Sequence, residues 1–233
     1  MKVSIVIPAY NEEDSIANTL MAVCAQDYSD FEVIVVDNAS SDKTSEIAKK
    51  FPVKVVREDR KGLLFARECG RKASSGDIIA NVDADCLPNE KWLSKNVPYF
   101  SDSKVVAVSG PYDYFDGSKF FRFTSLFLQK TLYVFMNNVL NSTRKGGVLI
   151  GGNNMIRANI LEKAGGFENS SEFYGEDTKT AKSVSKFGKI VFHPNCVMKT
   201  SARRFKKEGF LAVSMKYFYH FFKHTVKTKK INA

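Results

Sequence analysis

A chain of 233 residues, 44% apolar and 26% charged, suits one domain with a substantial core and excludes a disordered or fibrous protein. Its net charge of +10 asks for an anionic partner, a phosphorylated substrate or an anionic membrane surface. No helix-turn-helix, zinc-finger or RNP-like pattern is present, so no nucleic acid is expected.

The four cysteines, Cys24, Cys69, Cys86 and Cys196, form no CxxC, which suits reduced thiols in the cytoplasm. The apolar run 3–7 is too short for a secretory leader, and no run reaches membrane-spanning length. A cytoplasmic protein is expected, at most peripheral on the membrane.

Residues 3–8 read as a central strand stopped by Pro8, with Ala9-Tyr10-Asn11-Glu12 as the loop at its carboxyl end. A helix follows from about Asp14, with Ile16, Leu20 and Val23 on one face. Residues 31–36 form a second strand running into Asp37. Ser41 or Asp42 caps the next helix, from which Ile47 and Phe51 face the sheet. Residues 53–56 make a third strand, and the basic loop 57–62 leads into a helix through Ala66, Arg67 and Cys69.

The apolar run 78–82 is a fourth strand, ending in Asp83-Ala84-Asp85. Alternate strand residues share a face, so Asp83 and Asp85 project the same way. Two such carboxylates repel unless a cation lies beside them, and the economical cation is Mg²⁺ or Mn²⁺ carrying a diphosphate. Strand and helix alternate three times before this triplet, which predicts a parallel, helix-covered sheet with right-handed crossovers. Its carboxyl edge gathers Tyr10, Asn11, Asp37, Asp83 and Asp85 into one crevice. Ser40 and Asp42 read as turn and cap residues.

The second half is less regular. A helix starts at Trp92-Leu93, and residues 105–109 form a strand. Residues 120–140 have helical length and a broad apolar face, expected to pack as core, with Arg122, Ser125, Gln129, Lys130 and Asn137 opposite. A membrane-surface helix is the sharper option there. Gly146-Gly147 and Gly151-Gly152-Asn153-Asn154 bracket a short strand and allow the backbone close to a ligand, and residues 168–173 read as a mobile polar loop.

Gly175-Glu176-Asp177-Thr178 then opens a helix. Its N-terminus keeps carboxylates ionised, so Glu176 or Asp177 can take a proton from a substrate hydroxyl. Residues 189–192 are a further strand. From Lys199 onward come Arg203, Arg204, Lys206 and Lys207, the aromatic run 210–222, and Lys227, Lys229 and Lys230. This suits an interfacial helix on an anionic bilayer, a helix packed on the domain, or an oligomer contact. His220 and His224 read as surface residues.

The segments Val6-Ile7-Pro8-Ala9-Tyr10-Asn11-Glu12, Val35 to Thr44, Asp83-Ala84-Asp85 and Gly175-Glu176-Asp177 resemble the successive motifs of family 2 inverting glycosyltransferases. Gly151-Gly152-Asn153-Asn154 and Ala164-Gly165-Gly166-Phe167 fit the same pattern, and the resemblance covers residues 1 to about 205. It implies an α/β protein with a single GT-A (Rossmann-like) domain, built on a mostly parallel central sheet flanked by helices. Residues 1–110 would be its nucleotide-binding half and 111–205 its acceptor half, with 206–233 as a basic, aromatic C-terminal helix. It also implies a UDP- or GDP-sugar donor, a Mn²⁺ or Mg²⁺ cofactor, and a glycan or polyprenyl-linked acceptor, hydroxyl or lipid phosphate. Such activity belongs to cell-surface glycan or glycolipid synthesis.

By that resemblance Pro8, Tyr10 and Glu12 surround the nucleotide, Asp37 lies near the base, and Arg67 joins the donor site. Asp83 lies by the ribose and beside the metal, Asp85 holds the metal, and Asp177 is the catalytic base with Glu176 next to it. Arg203 or Arg204 is the diphosphate clamp. Thr200-Ser201-Ala202-Arg203-Arg204-Phe205 stands where processive members carry Gln-x-x-Arg-Trp. An Arg is kept without the Gln or Trp, which weighs against processive synthesis. Asn38 replaces a second Asp. Two rivals are a catalytically silent membrane-surface module of the same fold and a sugar-nucleotide pyrophosphorylase. The first has no chemical reason to keep the whole carboxylate set. The second calls for a Gly-rich, Arg- and Lys-containing loop where Pro8 to Glu12 stand.

Overall fold

The computed structural model describes residues 1–143, 146–167 and 174–226. The predicted polar loop at 168–173 and the lysines at 227, 229 and 230 lie outside the described residues, as does the His224 side chain. In chain order the elements are β1 (Val3–Ala9), α1 (Ile16–Cys24), β2 (Phe31–Asp37), α2 (Thr44–Ala48), β3 (Lys54–Arg57), α3 (Leu63–Ala73), β4 (Ile78–Asn81), β5 (Cys86–Leu87), α4 (Trp92–Asn96), β6 (Val105–Ser109) and β7 (Tyr112–Tyr114). They continue with α5 (Lys119–Leu128), α6 (Val134–Ser142), β8 (Asn154–Arg157), α7 (Ala158–Lys163), α8 (Glu176–Val184), β9 (Lys189–Phe192), β10 (Met198–Thr200), α9 (Arg203–Glu208) and α10 (Phe210–Val226).

Seven strands form the main sheet in the order β3-β2-β1-β4-β8-β6-β9. All neighbours are parallel except β8, which runs antiparallel between β4 and β6. A second sheet, β5-β10-β7, is assembled from three short segments. Strand alternation divides the core in two. Val3, Ile5, Ile7, Val33 and Val35 pack with Ile16, Leu20 and Val23 of α1 and with Trp92 and Leu93 of α4. Val6, Ile34, Val36, Ile79 and Ile156 pack on the other face with Leu64 of α3, Leu161 of α7 and Val184 of α8.

Three sequence expectations need correction. The first strand passes through Pro8 to Ala9, because β4 has ended opposite Val6 and only β2 lies alongside the proline. The glycine-flanked stretch before Asn154 is not a strand; strand pairing begins at Asn154, after a turn at Gly151 and Gly152. His220 is partly buried, stacked on Tyr174 with ring centroids 5.6 Å apart.

The largest correction concerns residues 119–142. A π-helical turn, Gln129–Tyr133, joins α5 to α6. The polar side of this helix faces inward and most of its phenylalanines face out. Gln129 is 5% and Asn137 4% exposed, whereas Phe120 is 79%, Phe123 71% and Phe135 65% exposed. Hydrogen bonding supplies the reason. Gln129 Oε1 accepts from the Tyr112 amide N–H at 2.8 Å, and its Nε2 donates to the Tyr112 carbonyl at 3.0 Å. Asn141 does the same to Ile190 of β9, accepting at 3.0 Å and donating at 2.7 Å. Asn137 donates to the Ile190 carbonyl and accepts from the Val148 N–H, both at 3.0 Å. Side-chain amides thus act as strand partners for β7 and β9, and those backbone groups would otherwise lie unpaired beneath the helix.

Candidate active site

The carboxyl ends of β1, β2 and β4 lie on one sheet edge, as parallel neighbours must. Asp83 and Asp85 follow β4 in the short turn before β5. From α3, Arg67 reaches this edge as a guanidinium only 2% exposed, and three carboxylates converge on it. Its Nη1 donates to Glu176 Oε1 at 2.9 Å and to Asp177 Oδ1 at 3.4 Å; Nη2 donates to Asp83 Oδ1 at 3.3 Å. Glu176 and Asp177 belong to the first turn of α8, which Gly175 opens in the left-handed region. The Asp177 N–H also donates back to the Glu176 carboxylate.

One guanidinium faces three carboxylates, so negative charge is left over. Burial raises the Glu176 and Asp177 carboxyls above their ordinary range, and for Asp177 the neighbouring Glu176 adds to it. For Arg67, burial works against the charged form, but Glu176, Asp83 and Asp177 outweigh it and its pKa rises. The Asp177 side chain is 28% exposed against 6% for Glu176. Asp177 is therefore the one of the pair that faces the crevice.

A second cluster lies beside the first. Arg203, at the start of α9, donates through Nη1 to Glu12 Oε2 at 2.7 Å, and its Nε lies 3.2 Å from Asp85 Oδ2. The hydrogen bond from Arg203 to Glu12 helps hold that guanidinium in its charged form. The Asp85 carboxyl is pushed up to about 6, first by burial and then by Asp83, with Arg203 opposing. Glu12 is further fixed by the Ser15 hydroxyl at 2.6 Å. Arg204 turns the other way and donates to the Tyr217 hydroxyl of α10 at 3.0 Å. Of the two arginines singled out in sequence, only Arg203 joins the carboxylates.

The remaining sequence candidates line the same edge further out. Asp37 ends β2; its Oδ1 accepts from the Ser40 N–H at 3.0 Å, and its Oδ2 pairs with Arg57 Nη1 at 3.1 Å. Asn38 spans the loop after β3, donating to the Glu58 and Arg60 carbonyls and accepting from the Gly62 N–H. Pro8 is buried in β1. Tyr10 is exposed, with Lys61 Nζ 3.0 Å from its hydroxyl. Asp42 accepts from the Thr44 N–H at 3.0 Å as a turn residue; the cap position of α2 falls to Lys43, one residue later than the sequence reading placed it, and no side chain caps it.

Two features escape sequence reading. Tyr112 is partly buried at the centre of the site, its hydroxyl donating to Asp83 Oδ2 at 3.2 Å and accepting from the Gly152 N–H at 2.8 Å. It stands in no motif. Gly151 and Gly152 were singled out as permitting close approach, but what approaches is protein. A Cβ on Gly151 would lie 2.6 Å from Arg67 Nη2, and one on Gly152 2.5 Å from the Tyr112 hydroxyl. Asn153 anchors this turn, donating to the Pro111 and Cys196 carbonyls and accepting from the Trp92 indole at 2.9 Å.

The donor set suits a hard divalent cation. Asp83 and Asp85 offer oxygen ligands, and the raised Asp85 carboxyl marks negative charge that Arg203 does not fully offset. No group of three or more His, Cys, Asp or Glu side chains that could hold a metal is found among the described residues. Mg²⁺-type sites need only one or two carboxylates when substrate phosphates and water complete the shell.

An α/β sheet with this acidic edge defines a GT-A-type glycosyltransferase architecture. The chain belongs to glycosyl transferase family 2, whose family model matches residues 4–165. It is 40% identical to glycosyltransferase AglE of Haloferax volcanii over 116 residues, 46% of this chain and 38% of that protein. It is 33% identical to a dolichol-phosphate mannosyltransferase of Pyrococcus furiosus over 118 residues, 48% of this chain and 34% of that protein. The chain thus matches well under half the length of these curated relatives. In fold it is similar to the mannosyltransferase PcManGT of Pyrobaculum calidifontis, solved in complex with GDP-Man and Mn²⁺. The TM-score is 0.75 at 23% identity, covering 98% of this chain and 65% of that one. Glucosyl-3-phosphoglycerate synthase of Mycobacterium tuberculosis, solved with Mn²⁺, UDP and glucosyl-3-phosphoglycerate, aligns with a TM-score of 0.67 at 21% identity. That match covers 98% of this chain and 81% of the other.

Proposed function

We propose that this protein transfers a sugar from a UDP- or GDP-sugar to an acceptor oxygen with inversion at the anomeric carbon, aided by Mn²⁺ or Mg²⁺. The observation that carries the reading is the convergence of Asp83, Glu176 and Asp177 on the buried Arg67, beside the Asp85–Arg203–Glu12 cluster. Family membership and the nucleotide sugars bound by its structural neighbours support it.

In this reading Asp85, with Asp83, would hold the divalent cation. When bound, the cation supplies positive charge against the leaving nucleoside diphosphate. Arg203, 3.2 Å from Asp85, would add a second positive charge for the diphosphate. Tyr10, Lys61 and Asp37 face the nucleotide end of the crevice. Asp177 accepts the acceptor's proton as its oxygen attacks the anomeric carbon; a raised pKa makes it the stronger base. Glu176, held by Arg67, orients its neighbour. A glycan hydroxyl needs this base, whereas a lipid phosphate is already anionic at neutral pH and needs it far less.

The test is thermal stability of the purified protein against UDP- and GDP-sugars, with and without Mn²⁺. A ligand binding only the folded state raises the melting temperature by mass action, so a metal-dependent shift with one nucleotide is expected. No shift with any donor, together with no donor turnover, would sink the reading in favour of a silent module.

A further inference from the structure

The outward face of α5 and α6 has no partner among the described residues. Phe120, Phe123, Phe127, Leu132, Phe135 and Val139 stand on it, each between 46% and 79% exposed. A contiguous exposed apolar face marks an interaction surface. Gln129 and Asn141 on its polar side are bonded to β7 and β9, so the helix cannot roll to bury its phenylalanines without breaking those hydrogen bonds.

Charge names the occupant. From Gly117 to Leu161 the sequence contains no Asp or Glu, while Lys119 and Lys130 stand on or beside the helix and Arg122 is paired with Asp113 of β7 at 2.8 Å. The α9–α10 junction extends the patch: Phe210 packs on Phe121 with ring centroids 5.5 Å apart and is itself 52% exposed. Lys206 and Lys207 are exposed just before it, Lys206 paired with Asp116 at 2.9 Å, and residues 209–233 contain no Asp or Glu. An apolar face that carries no carboxylate of its own, with Lys119, Lys130 and Lys207 at its rim beyond the paired Arg122 and Lys206, complements an anionic lipid surface. A second copy of the chain would bring like charges together. No helix among the described residues is long and apolar enough to cross a membrane, so any lipid contact by these helices is interfacial.

We infer that the α5–α6 phenylalanine face, with the α9–α10 junction, docks this protein on an anionic bilayer surface. The face is linked to the carboxylate site through two residues, Gln129 and Tyr112. Gln129 holds the Tyr112 backbone, and the Tyr112 hydroxyl holds Asp83. The active crevice therefore sits one strand from the lipid.

Flotation of the full chain with phosphatidylglycerol-containing vesicles tests this, against phosphatidylcholine vesicles and across salt. Expected is co-flotation with the anionic vesicles that weakens at high salt and falls at least tenfold in a Phe123→Ser/Phe127→Ser/Phe135→Ser variant. These side chains are exposed, so the variant should keep the wild-type melting temperature. A Phe127→Trp variant gives a second reading: its indole emission should shift to the blue on anionic vesicles and be quenched by brominated lipid. Trp92 is buried and should not respond. Failure to float with anionic vesicles at low salt, with no blue shift from the Phe127→Trp variant, overturns the inference. So does a concentration-dependent dimer that the triple variant dissolves, which would assign the face to a second copy. Neither result bears on donor binding, which the melting shift reads separately.

Discussion

The Nη1 atom of Arg67 lies 2.9 Å from the Glu176 carboxylate, and each side chain is at most 6% exposed. Two residues 109 apart in sequence thereby join α3 to the start of α8, with Asp83 and Asp177 drawn to the same guanidinium. A planar group with several fixed donors suits three acceptors from different directions; an ammonium does not.

Removing that cation strands the carboxylates. Arg67→Met is expected to destabilise the fold by about 3–5 kcal/mol at pH 8, as loss of one partner of a buried ion pair does. Urea unfolding measures it. The loss should shrink as the pH falls, because Glu176 and Asp177 already take up protons above the ordinary carboxylate range. A pH-independent loss would mean that packing, not charge, is at stake.

Asp177→Asn should separate catalysis from stability. Turnover onto a hydroxyl acceptor should fall about 10²–10⁴-fold, the contribution typical of a general base, with donor affinity unchanged. A small loss would identify an acceptor that is already anionic. Stability should move the other way. The folded Asp177 holds its proton to higher pH than the unfolded one, so the wild type loses stability as the pH rises through that interval. The Asn variant lacks this loss, so it should be the more stable of the two at pH 8, with the difference vanishing near pH 4. Denaturation at the two pH values checks the sign.

Tyr112→Phe removes the hydroxyl that bridges Asp83 and the Gly152 N–H. A buried N–H left without its acceptor costs about 1–3 kcal/mol. If Asp83 is held for donor binding, the metal-dependent melting shift with the matching nucleotide sugar should also shrink. A variant that loses stability but keeps the full shift would leave Tyr112 a purely structural role.

Gly152→Ala tests the close approach directly. The new methyl would meet the Tyr112 hydroxyl at 2.5 Å, and overpacking of this kind costs about 1–3 kcal/mol. The Arg67–Asp83 pairing should be disturbed with it, so donor-dependent stabilisation should fall together with the melting temperature. Differential scanning fluorimetry reads both.

Asp85→Asn should abolish Mn²⁺-dependent stabilisation by the donor while leaving the metal-free protein at least as stable. The substitution removes a carboxylate that burial and Asp83 disfavour, and Arg203 keeps Glu12 as a partner. Calorimetric titration with Mn²⁺ and donor would show retained metal binding if the assignment to Asp85 fails.

Much of the sheet was legible because strand and helix periods differ and turn residues punctuate them. Ile5, Val35 and Ile79 were placed as buried strands by their runs, and the carboxyl ends of those runs named Tyr10, Asp37 and Asp83. Tyr112 was not legible, since one tyrosine in Pro111-Tyr112-Asp113-Tyr114 carries no periodic or motif signal. Nor was the Arg203–Glu12 pairing, which depends on how a chain end returns across the sheet. The orientation of α5 and α6 failed for a physical reason. A helical pattern gives two faces but does not say which turns inward, and backbone groups on β7 and β9 outweighed the burial of Phe123 and Phe135.

The amides of Gln129 and Asn141 have a consequence for life at high concentration. β7 and β9 are edge strands, and an exposed edge can template pairing with a neighbouring molecule. Each amide occupies both the donor and the acceptor of one edge residue, Tyr112 and Ile190, so an incoming strand meets a blocked ladder. The two edges that lie beneath the exposed phenylalanines are thereby closed to edge-to-edge pairing.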